Sequence, residues 1–240
     1  MNELNQRDKL TGLPERAHLW SKLSEIIRQI ERNGTFCGVL LVKINQLNEL
    51  AKHIGNDGID QYLILLAERF KKSLWDMDAA FRFKDDQFVI VANSINRPED
   101  IHVVMKKLQE YLAIECTIKK IKISPSTNIG IVLLPTDGTE IDEIMLNATS
   151  ALSKSNPLGD NQYYYFNQEL GCKIYEQESV KSAILATLAD ESFVLHLQPK
   201  INVESNKVSG VETLVRMRDS EGNIVSPNEF IPIAENSSLI

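Results

Sequence analysis

Apolar residues at helical and strand spacing predict an alternation of helices and strands along the first two thirds of the chain. Leu19, Leu23 and Ile30 belong to an apolar series that recurs on one helical face, which predicts an amphipathic helix ending at Asn33-Gly34. Residues 36–44 are almost continuously apolar, as is typical of a buried strand. A helix is therefore followed directly by a strand.

The same patterns continue to about residue 168. Two runs, 79–83 and 88–92, predict a hairpin whose second strand is buried because it is almost entirely apolar. Further strands are predicted at 118–123, 127–134 and 163–166, and further helices at 59–74, 98–112 and 141–152, with a break at residues 55–58. This order predicts an α+β domain over residues 1–168, with a mostly antiparallel sheet covered by helices.

Residues 169–240 show a different order of elements and are predicted to form a second domain. A linking helix comes first, followed by strands at 193–201 and 207–216 that are joined at Glu204-Ser205-Asn206. Ser226-Pro227 then begins a short helix. The boundary rests on this change of pattern, because no low-complexity linker separates the two parts.

The composition is that of a globular protein with an excess of acidic residues. The 26 Lys and Arg against 33 Asp and Glu give a formal net charge of −7, which argues against sequence-independent binding of nucleic acid. Cys37, Cys116 and Cys172 lack the spacing of a zinc site or a disulfide framework, and no apolar run is long enough for a membrane span. We therefore expect a protein of the reducing cytoplasm, with any membrane attachment outside this sequence.

The predicted hairpin tip, Lys84-Asp85-Asp86-Gln87, is the first candidate for chemistry. Two adjacent carboxylates held by buried strands can position a metal ion if another acidic group reaches them from a neighbouring strand. Asp and Lys are also ordinary residues of solvated turns. The tip alone leaves both interpretations open.

Four ordered motifs resemble those of the GGDEF domain, which is the fold of diguanylate cyclases. They are Asp8-x-Leu10-Thr11-Gly12-Leu13-Pro14-x-Arg16, the hairpin with Arg82-Phe83 and Phe88, Asn128-Ile129-Gly130-Ile131, and Pro135-x-Asp137-Gly138. The resemblance covers residues 8 to about 168. It implies a domain that condenses two GTP molecules into cyclic di-GMP, with one GTP on each of two facing domains.

The departures from the family pattern fall where that chemistry would take place. At the tip, Lys84 and Asp85 replace two glycines that let the backbone approach the nucleotide, and Gln87 replaces a glutamate. Asp86 keeps one metal carboxylate, but Lys43 stands at the position of the second, where an ammonium disfavours Mg²⁺. Asp86 is therefore not expected to bind a metal ion, and an ion pair between Lys43 and Asp86 is predicted instead.

Other positions that the resemblance implies for nucleotide binding have also changed. The family's phosphate-binding Lys and Arg correspond to Asn156 and Asp160, so the charge is reversed at one of them. Asn45 stands at a further acidic position of the family. Of the two guanine-contacting residues, the Asn is replaced by Ala51 and the Asp is retained as Asp60. In the product-inhibition motif Arg-x-x-Asp, Trp75 replaces the Arg and only Asp78 remains. We expect no cyclase activity and no catalytic residue in this domain.

Three later motif blocks are similar to the opening of an EAL domain, a barrel that hydrolyses or binds cyclic di-GMP. They are Phe193-x-Leu195-His196-Leu197-Gln198-Pro199-Lys200, Gly210-Val211-Glu212-Thr213-Leu214-Val215-Arg216, and Ser226-Pro227-x-Glu229-Phe230-Ile231-Pro232-x-Ala234-Glu235. The resemblance implies that Glu212 is a metal ligand and that Gln198 and Arg216 contact cyclic di-GMP. The alternative for Glu212 is a surface carboxylate at a strand end.

A β/α barrel needs about 250 residues, so we expect residues 169–240 to be a truncated barrel whose other strands and metal ligands lie outside this sequence. Mg²⁺ or Mn²⁺ is expected only with a complete EAL domain, and no cofactor otherwise. We expect a catalytically silent GGDEF domain next to an EAL domain that binds cyclic di-GMP. The GGDEF domain would regulate the EAL domain, or would dimerise with a second copy or with another signalling protein. The alternatives are an active phosphodiesterase in the full-length protein and a nucleotide-free interaction scaffold.

Overall fold

The computed structural model describes residues 7–218 and 222–236, which belong to two units, Met1–Gly171 and Cys172–Ile240. The helices of the first unit are α1 (Arg16–Asn33), α2 (Leu47–Ser73), α3 (Ile101–Ala113) and α4 (Ile141–Ser155). Its strands are β1 (Phe36–Ile44), β2 (Ala79–Lys84), β3 (Gln87–Ile95), β4 (Cys116–Ile118), β5 (Ile121–Ile123), β6 (Thr127–Leu134) and β7 (Tyr163–Tyr165). The next helix, α5 (Gln168–Ala189), continues from the first unit into the second.

A five-stranded sheet in the order β2-β3-β1-β6-β7 forms the centre of the first unit. All neighbouring strands are antiparallel except β6 and β7. Leu41 and Val89 pack with apolar residues of α1 and α4 on one face. Phe88 points to the opposite face, where its ring centroid lies 4.7 Å from that of Phe70 on α2. The predicted α+β fold, with a mostly antiparallel sheet covered by helices, is therefore confirmed.

Close packing of α4 against β6 depends on Gly130. A Cβ atom at this position would lie 2.4 Å from both the carbonyl oxygen of Ala148 and the backbone nitrogen of Leu152. No side chain fits at that distance, so glycine lets α4 lie directly on the strand.

One predicted element differs from the structure. The single strand predicted at residues 118–123 is wrong, because Lys119 and Lys120 have φ angles of 48° and 67° and form a two-residue turn between β4 and β5. The break predicted at residues 55–58 is confirmed at Gly55, whose φ of 68° and ψ of 174° are non-helical and separate the two helical parts of α2.

The second unit is built on a three-stranded antiparallel sheet. Its strands are β8 (Val194–Asn202), β9 (Lys207–Arg218) and β10 (Ile224–Val225), in the order β10-β9-β8, and they are followed by α6 (Pro227–Asn236). Met217 of β9 packs with Ile184 of α5 and with Phe230 and Ala234 of α6. These strands and helices are consistent with the opening of a β/α barrel.

None of the helices within residues 7–218 and 222–236 combines the length and the apolar character needed to cross a bilayer.

Candidate functional site

The tip of the β2–β3 hairpin lies beside the end of β1. The Ile44 N–H donates a hydrogen bond of 2.8 Å to the Asp86 carbonyl oxygen. In the strand register, Lys43 of β1 and Lys84 of β2 both lie opposite Gln87 of β3. The sheet therefore places two lysines and one glutamine in a row across three adjacent strands.

The carboxylates of the tip do not converge on a metal position. The predicted ion pair between Lys43 and Asp86 is not formed in the described part of the chain. Lys43 lies opposite Gln87, and Asp86 comes one residue earlier, where the alternation of strand residues no longer directs it towards Lys43. No group of three or more His, Cys, Asp or Glu among the described residues could hold a metal ion. Mg²⁺ requires several oxygen ligands in a near-octahedral arrangement, which the tip carboxylates alone do not supply.

Arg82 braces the tip from β2. Its guanidinium carbon lies 4.6 Å from the centroid of the Phe88 ring, and its Nη2 donates a hydrogen bond to the Asp85 carbonyl oxygen. Burial lowers the pKa of Arg82, and the nearby carboxylates Asp8, Asp85 and Asp86 oppose that shift. Through both contacts, the Arg82 guanidinium on β2 joins the tip and the start of β3.

Asn45, the first residue after β1, joins three segments of the first unit. Its Nδ2 lies 3.0 Å from Ser126 Oγ, 3.1 Å from Asn128 Oδ1 and 3.0 Å from Asp160 Oδ1. Gln46 Nε2 donates to the other carboxylate oxygen of Asp160 at 2.9 Å. Both oxygens of Asp160 are therefore engaged by amides at the end of β1.

Asn128 connects the same contacts to the loop after α4. It is only 2% exposed, and its Nδ2 donates to Asn156 Oδ1 at 3.1 Å and to the Gly159 carbonyl oxygen at 3.0 Å. Its Oδ1 accepts a hydrogen bond of 3.2 Å from the Gln162 N–H. We call this set the amide cluster; its members are Asn45, Gln46, Asn128, Asn156 and Asp160.

The sequence identified three members of the amide cluster, Asn45, Asn156 and Asp160, as changed positions, but it did not show that they contact one another through Asn128. The signal for Asn128 is its place at the start of the third GGDEF-like motif. By contrast, Asp60 is exposed on α2, and no hydrogen bond within the described residues joins it to the amide cluster.

In the second unit, the predicted site residues lie on one face of the β8–β9 hairpin. Gln198 lies directly opposite Glu212, and Arg216 follows Glu212 at an even spacing on the same strand, so the three side chains share a face. The Lys200 ammonium lies 3.4 Å from Glu212 Oε2, with both side chains more than half exposed, at 61% and 51%. Sequence reasoning had not identified Lys200 as the partner of Glu212.

Two family models match this chain. The model described as "Diguanylate cyclase, GGDEF domain" matches residues 5–162, and the model described as "EAL domain" matches residues 181–240.

Curated proteins are similar along almost the whole of this chain. The bifunctional diguanylate cyclase/cyclic di-GMP phosphodiesterase MucR of Pseudomonas aeruginosa is 29% identical over 238 residues, which is 99% of this chain and 35% of that protein. The cyclic di-GMP phosphodiesterase PdeR of Escherichia coli is 24% identical over 237 residues, again 99% of this chain and 35% of that protein. The chain thus spans about a third of the length of these relatives.

Solved structures support the fold of the first unit. The GGDEF domain of TpbB (also YfiN) from Pseudomonas aeruginosa matches with a TM-score of 0.65 and 19% identity, covering 70% of this chain and 99% of that one. A sensory box/GGDEF family protein from Caulobacter crescentus matches with a TM-score of 0.61 and 25% identity, covering 64% and 99%.

Proposed function

Because the chain belongs to the diguanylate cyclase GGDEF-domain family and continues into a region similar to the opening of an EAL domain, we propose that it is part of a cyclic di-GMP signalling protein whose GGDEF unit makes no cyclic di-GMP. The observation that carries this proposal is Lys43 at the end of β1, opposite Gln87 of the hairpin tip. An ammonium at a position where the resemblance implies a Mg²⁺ ligand removes the charge that the metal requires.

The amide cluster, which occupies the positions implied for phosphate binding, supports the same proposal. The resemblance implies a Lys and an Arg for the triphosphate, and the structure has Asn156 and Asp160 there, both hydrogen-bonded within the cluster. A triphosphate would have to displace these contacts and approach the Asp160 carboxylate, which repels it. The GGDEF unit then acts through contacts, by dimerising or by biasing the EAL domain between conformations.

The EAL domain would supply the nucleotide chemistry. Gln198 and Arg216 contact cyclic di-GMP in this proposal, and Glu212 contributes one ligand to Mg²⁺ or Mn²⁺ when the rest of the barrel supplies the others. Such a metal ion would polarise a phosphodiester oxygen or activate a water molecule. Glu212 must exchange its ion pair with Lys200 for the metal.

A second candidate is an active cyclic di-GMP phosphodiesterase in the full-length protein. It is favoured by the placement of Gln198, Glu212 and Arg216 on one face of the β8–β9 hairpin. The names of relatives such as PdeR and of NbdA from Pseudomonas aeruginosa, a cyclic di-GMP phosphodiesterase, point the same way.

One experiment separates these functions. The full-length protein is incubated with Mg²⁺ or Mn²⁺ and either GTP or cyclic di-GMP, and both retention and turnover are measured. We expect no cyclic di-GMP from GTP; its formation would overturn the silent GGDEF unit. Binding of cyclic di-GMP without conversion supports a receptor, conversion to the linear dinucleotide supports the phosphodiesterase, and neither would overturn the nucleotide part of the proposal.

A further inference from the structure

A pocket of about 250 Å³ opens between the start of β2, the end of β3 and the first turns of α3. Its lining combines apolar side chains with two carboxylates and includes Trp75, Asp78, Ile95, Asp100, Val103 and Val104. Trp75 and Val103 are about half exposed, at 48% and 53%. We call it the Trp75–Asp78 pocket.

The Asp78 carboxylate is held in a fixed orientation in this pocket. Its Oδ2 accepts the Trp75 N–H and its Oδ1 accepts the Asn93 N–H, each at 3.1 Å. A carboxylate oxygen can accept a second hydrogen bond, so each oxygen retains acceptor capacity. The backbone thus presents a pre-oriented pair of acceptors.

Asp78 has one basic neighbour, Lys107, but no ion pair with it in the described residues. No other basic side chain in this part of the chain forms an ion pair with Asp78, whereas Asp100 is paired with Arg97 at 3.2 Å. Burial raises the pKa of Asp78, against the opposing effects of its two backbone hydrogen bonds and of Lys107. A cation that entered the pocket would therefore relieve an electrostatic cost.

The nearest lysine contacts the aromatic ring instead. Lys107 Nζ lies 4.3 Å from the centroid of the Trp75 ring, which shows that this ring accepts a cation on its face. The lining also includes the exposed apolar side chain of Val103. The surroundings thus suit a group that is flat, positively charged and carried on an apolar stem.

An arginine side chain has these properties, because its guanidinium is planar, donates two parallel hydrogen bonds to a carboxylate and stacks on aromatic rings. The volume is below the range of about 300–1,000 Å³ that is usual for drug-sized ligands, so the pocket suits one side chain rather than a dinucleotide. We propose that the Trp75–Asp78 pocket binds an arginine side chain of a protein partner.

The GGDEF resemblance implies that the same segment binds a dinucleotide, whereas the pocket proposed here binds an arginine side chain. That motif uses an Arg where this chain has Trp75, and a phosphate-bearing ligand would meet Asp78 and Asp100 without that positive charge. The Trp75–Asp78 pocket includes neither the hairpin tip nor the β8–β9 face, so binding there is independent of the proposed nucleotide function.

The test uses Trp75 as its own reporter. In the full-length protein with Trp20→Phe, and with any other tryptophan outside this sequence replaced, fluorescence is followed during titration with N-acetyl-arginine amide. The matched probe is N-acetyl-citrulline amide, which has nearly the same shape but no charge. We expect saturable binding of the arginine probe and at least about tenfold weaker binding of the citrulline probe, a difference of about 1.4 kcal/mol.

Two variants locate the binding. Asp78→Asn should abolish it, whereas Asp76→Asn, at an exposed neighbour outside the pocket lining, should leave it unchanged. Because Asp78→Asn also removes an acceptor for a backbone N–H, Val103→Arg is the second variant. It supplies a guanidinium from the pocket's own rim and should block the probe while the far-ultraviolet circular dichroism stays the same.

Several results would overturn the proposal. They are no saturable change with the arginine probe, equal affinity for the citrulline probe, and undiminished binding in a folded Val103→Arg protein. Cyclic di-GMP that binds and displaces the arginine probe in the unmodified pocket would also overturn it and would assign the pocket to a nucleotide. None of these outcomes depends on whether the EAL domain binds or hydrolyses cyclic di-GMP.

Discussion

The two hairpins that carry the candidate sites present their polar residues in opposite ways. The β2–β3 hairpin is built on a buried strand, and its tip adjoins the amide cluster, whose side chains are hydrogen-bonded to one another. The β8–β9 hairpin carries Gln198 and Glu212 as exposed side chains, and Arg216 on the same face is partly buried. Beside the first hairpin, amide side chains bond to one another, while Arg82 Nη1 and Gln87 Oε1 at its tip are buried without a hydrogen-bond partner among the described residues. On the second hairpin, Gln198 and Glu212 are exposed to solvent.

The contrast is between polar side chains that bond to one another and polar side chains that remain open to solvent. Where the resemblance implies charged groups that bind metal and phosphate, the first unit has two amides, Asn45 and Asn156, which are both donors and acceptors and can bond within the amide cluster. Side chains that already bond to one another must give up those hydrogen bonds before they can bind a ligand. Within the part of the chain that the structure describes, exposed side chains such as Gln198 have no such contacts to give up.

The largest effect is expected from truncating a side chain in each hairpin. Phe88→Ala should lower the free energy of unfolding of the first unit by about 3–5 kcal/mol, because Phe88 is fully buried. Leu197→Ala, at a side chain that is 64% exposed, should change the stability of the second unit by no more than about 0.5 kcal/mol. Urea unfolding followed by domain-specific fluorescence or hydrogen exchange measures both. Similar losses in the two hairpins would remove the contrast.

Loss of Glu212 tests whether the exposed face is a ligand site. In the full-length protein, Glu212→Gln should lower metal-dependent binding or turnover of cyclic di-GMP by more than the roughly tenfold to hundredfold typical of outer-shell changes. Glu204→Gln, in the exposed turn of the same hairpin, is the matched control and should have no effect. An unchanged metal titration in Glu212→Gln would make Glu212 an ordinary surface carboxylate.

Asp160→Ala tests the amide cluster. It removes the acceptors for Asn45 and Gln46 in a partly solvated setting, so we expect a loss of about 1 kcal/mol in the stability of the first unit. Asp76→Ala, at an exposed residue of the same unit, should be neutral. We expect no GTP binding by Asp160→Ala, because Lys43 remains at the end of β1. Gain of tight GTP binding would show that the amide cluster alone had closed the site.

A pH dependence is expected from Asp137, a buried carboxylate of the first unit whose Oδ2 accepts the Leu133 N–H at 2.8 Å. Burial raises the pKa of Asp137 above its ordinary value of 3.8, although the hydrogen bonds from Leu133 and Asn167 oppose the shift. The folded state therefore holds the proton more tightly, and this contribution to stability is complete below pH 3.8 and is lost as the pH rises through the folded pKa.

Asp137→Asn keeps the shape and one acceptor but cannot ionise, so the variant should gain stability relative to the wild type as the pH rises from 4 towards neutrality. Chemical denaturation at a series of pH values measures this difference. A difference that does not vary with pH would contradict it.

The smallest effect is expected from Lys200→Met. The pair with Glu212 is solvent-exposed on both sides, and such pairs contribute at most about 1 kcal/mol, often nothing measurable. Thermal unfolding should hardly change, whereas metal affinity in the full-length protein should rise slightly because a competing cation is gone. A large loss of stability would show that the second hairpin, like the first, depends on its side-chain contacts for stability, despite its exposure.

Most of the fold could be predicted because its apolar runs are long and their periods are clear. The buried strand at residues 36–44 and the helix ending at Asn33-Gly34 are found as predicted. The turn at Lys119-Lys120 was missed because two lysines with positive φ carry none of the glycine or asparagine signals of such turns. The spacing of apolar residues therefore predicts helices and strands better than the local sequence predicts a turn with positive φ angles.

The candidate site was harder to predict because it depends on contacts between distant segments. Asn45 and Asp160 are 115 residues apart, and only the folded sheet brings their side chains together. The ion pair predicted between Lys43 and Asp86 failed for a related reason: the backbones meet, but the register places Lys43 opposite Gln87. Adjacent strands specify proximity, and a shift of one residue changes which side chains share a face.

The proline in β8 has a consequence for handling the protein. β8 is an outer strand of its sheet, with Leu195 and Leu197 exposed near Pro199. Exposed apolar edge strands tend to recruit further strands from other molecules and to aggregate, and a proline interrupts the row of N–H donors that such growth needs. Replacing Pro199 with valine should therefore make preparations of this chain precipitate or form fibrils at lower concentrations, while the parent sequence resists that route.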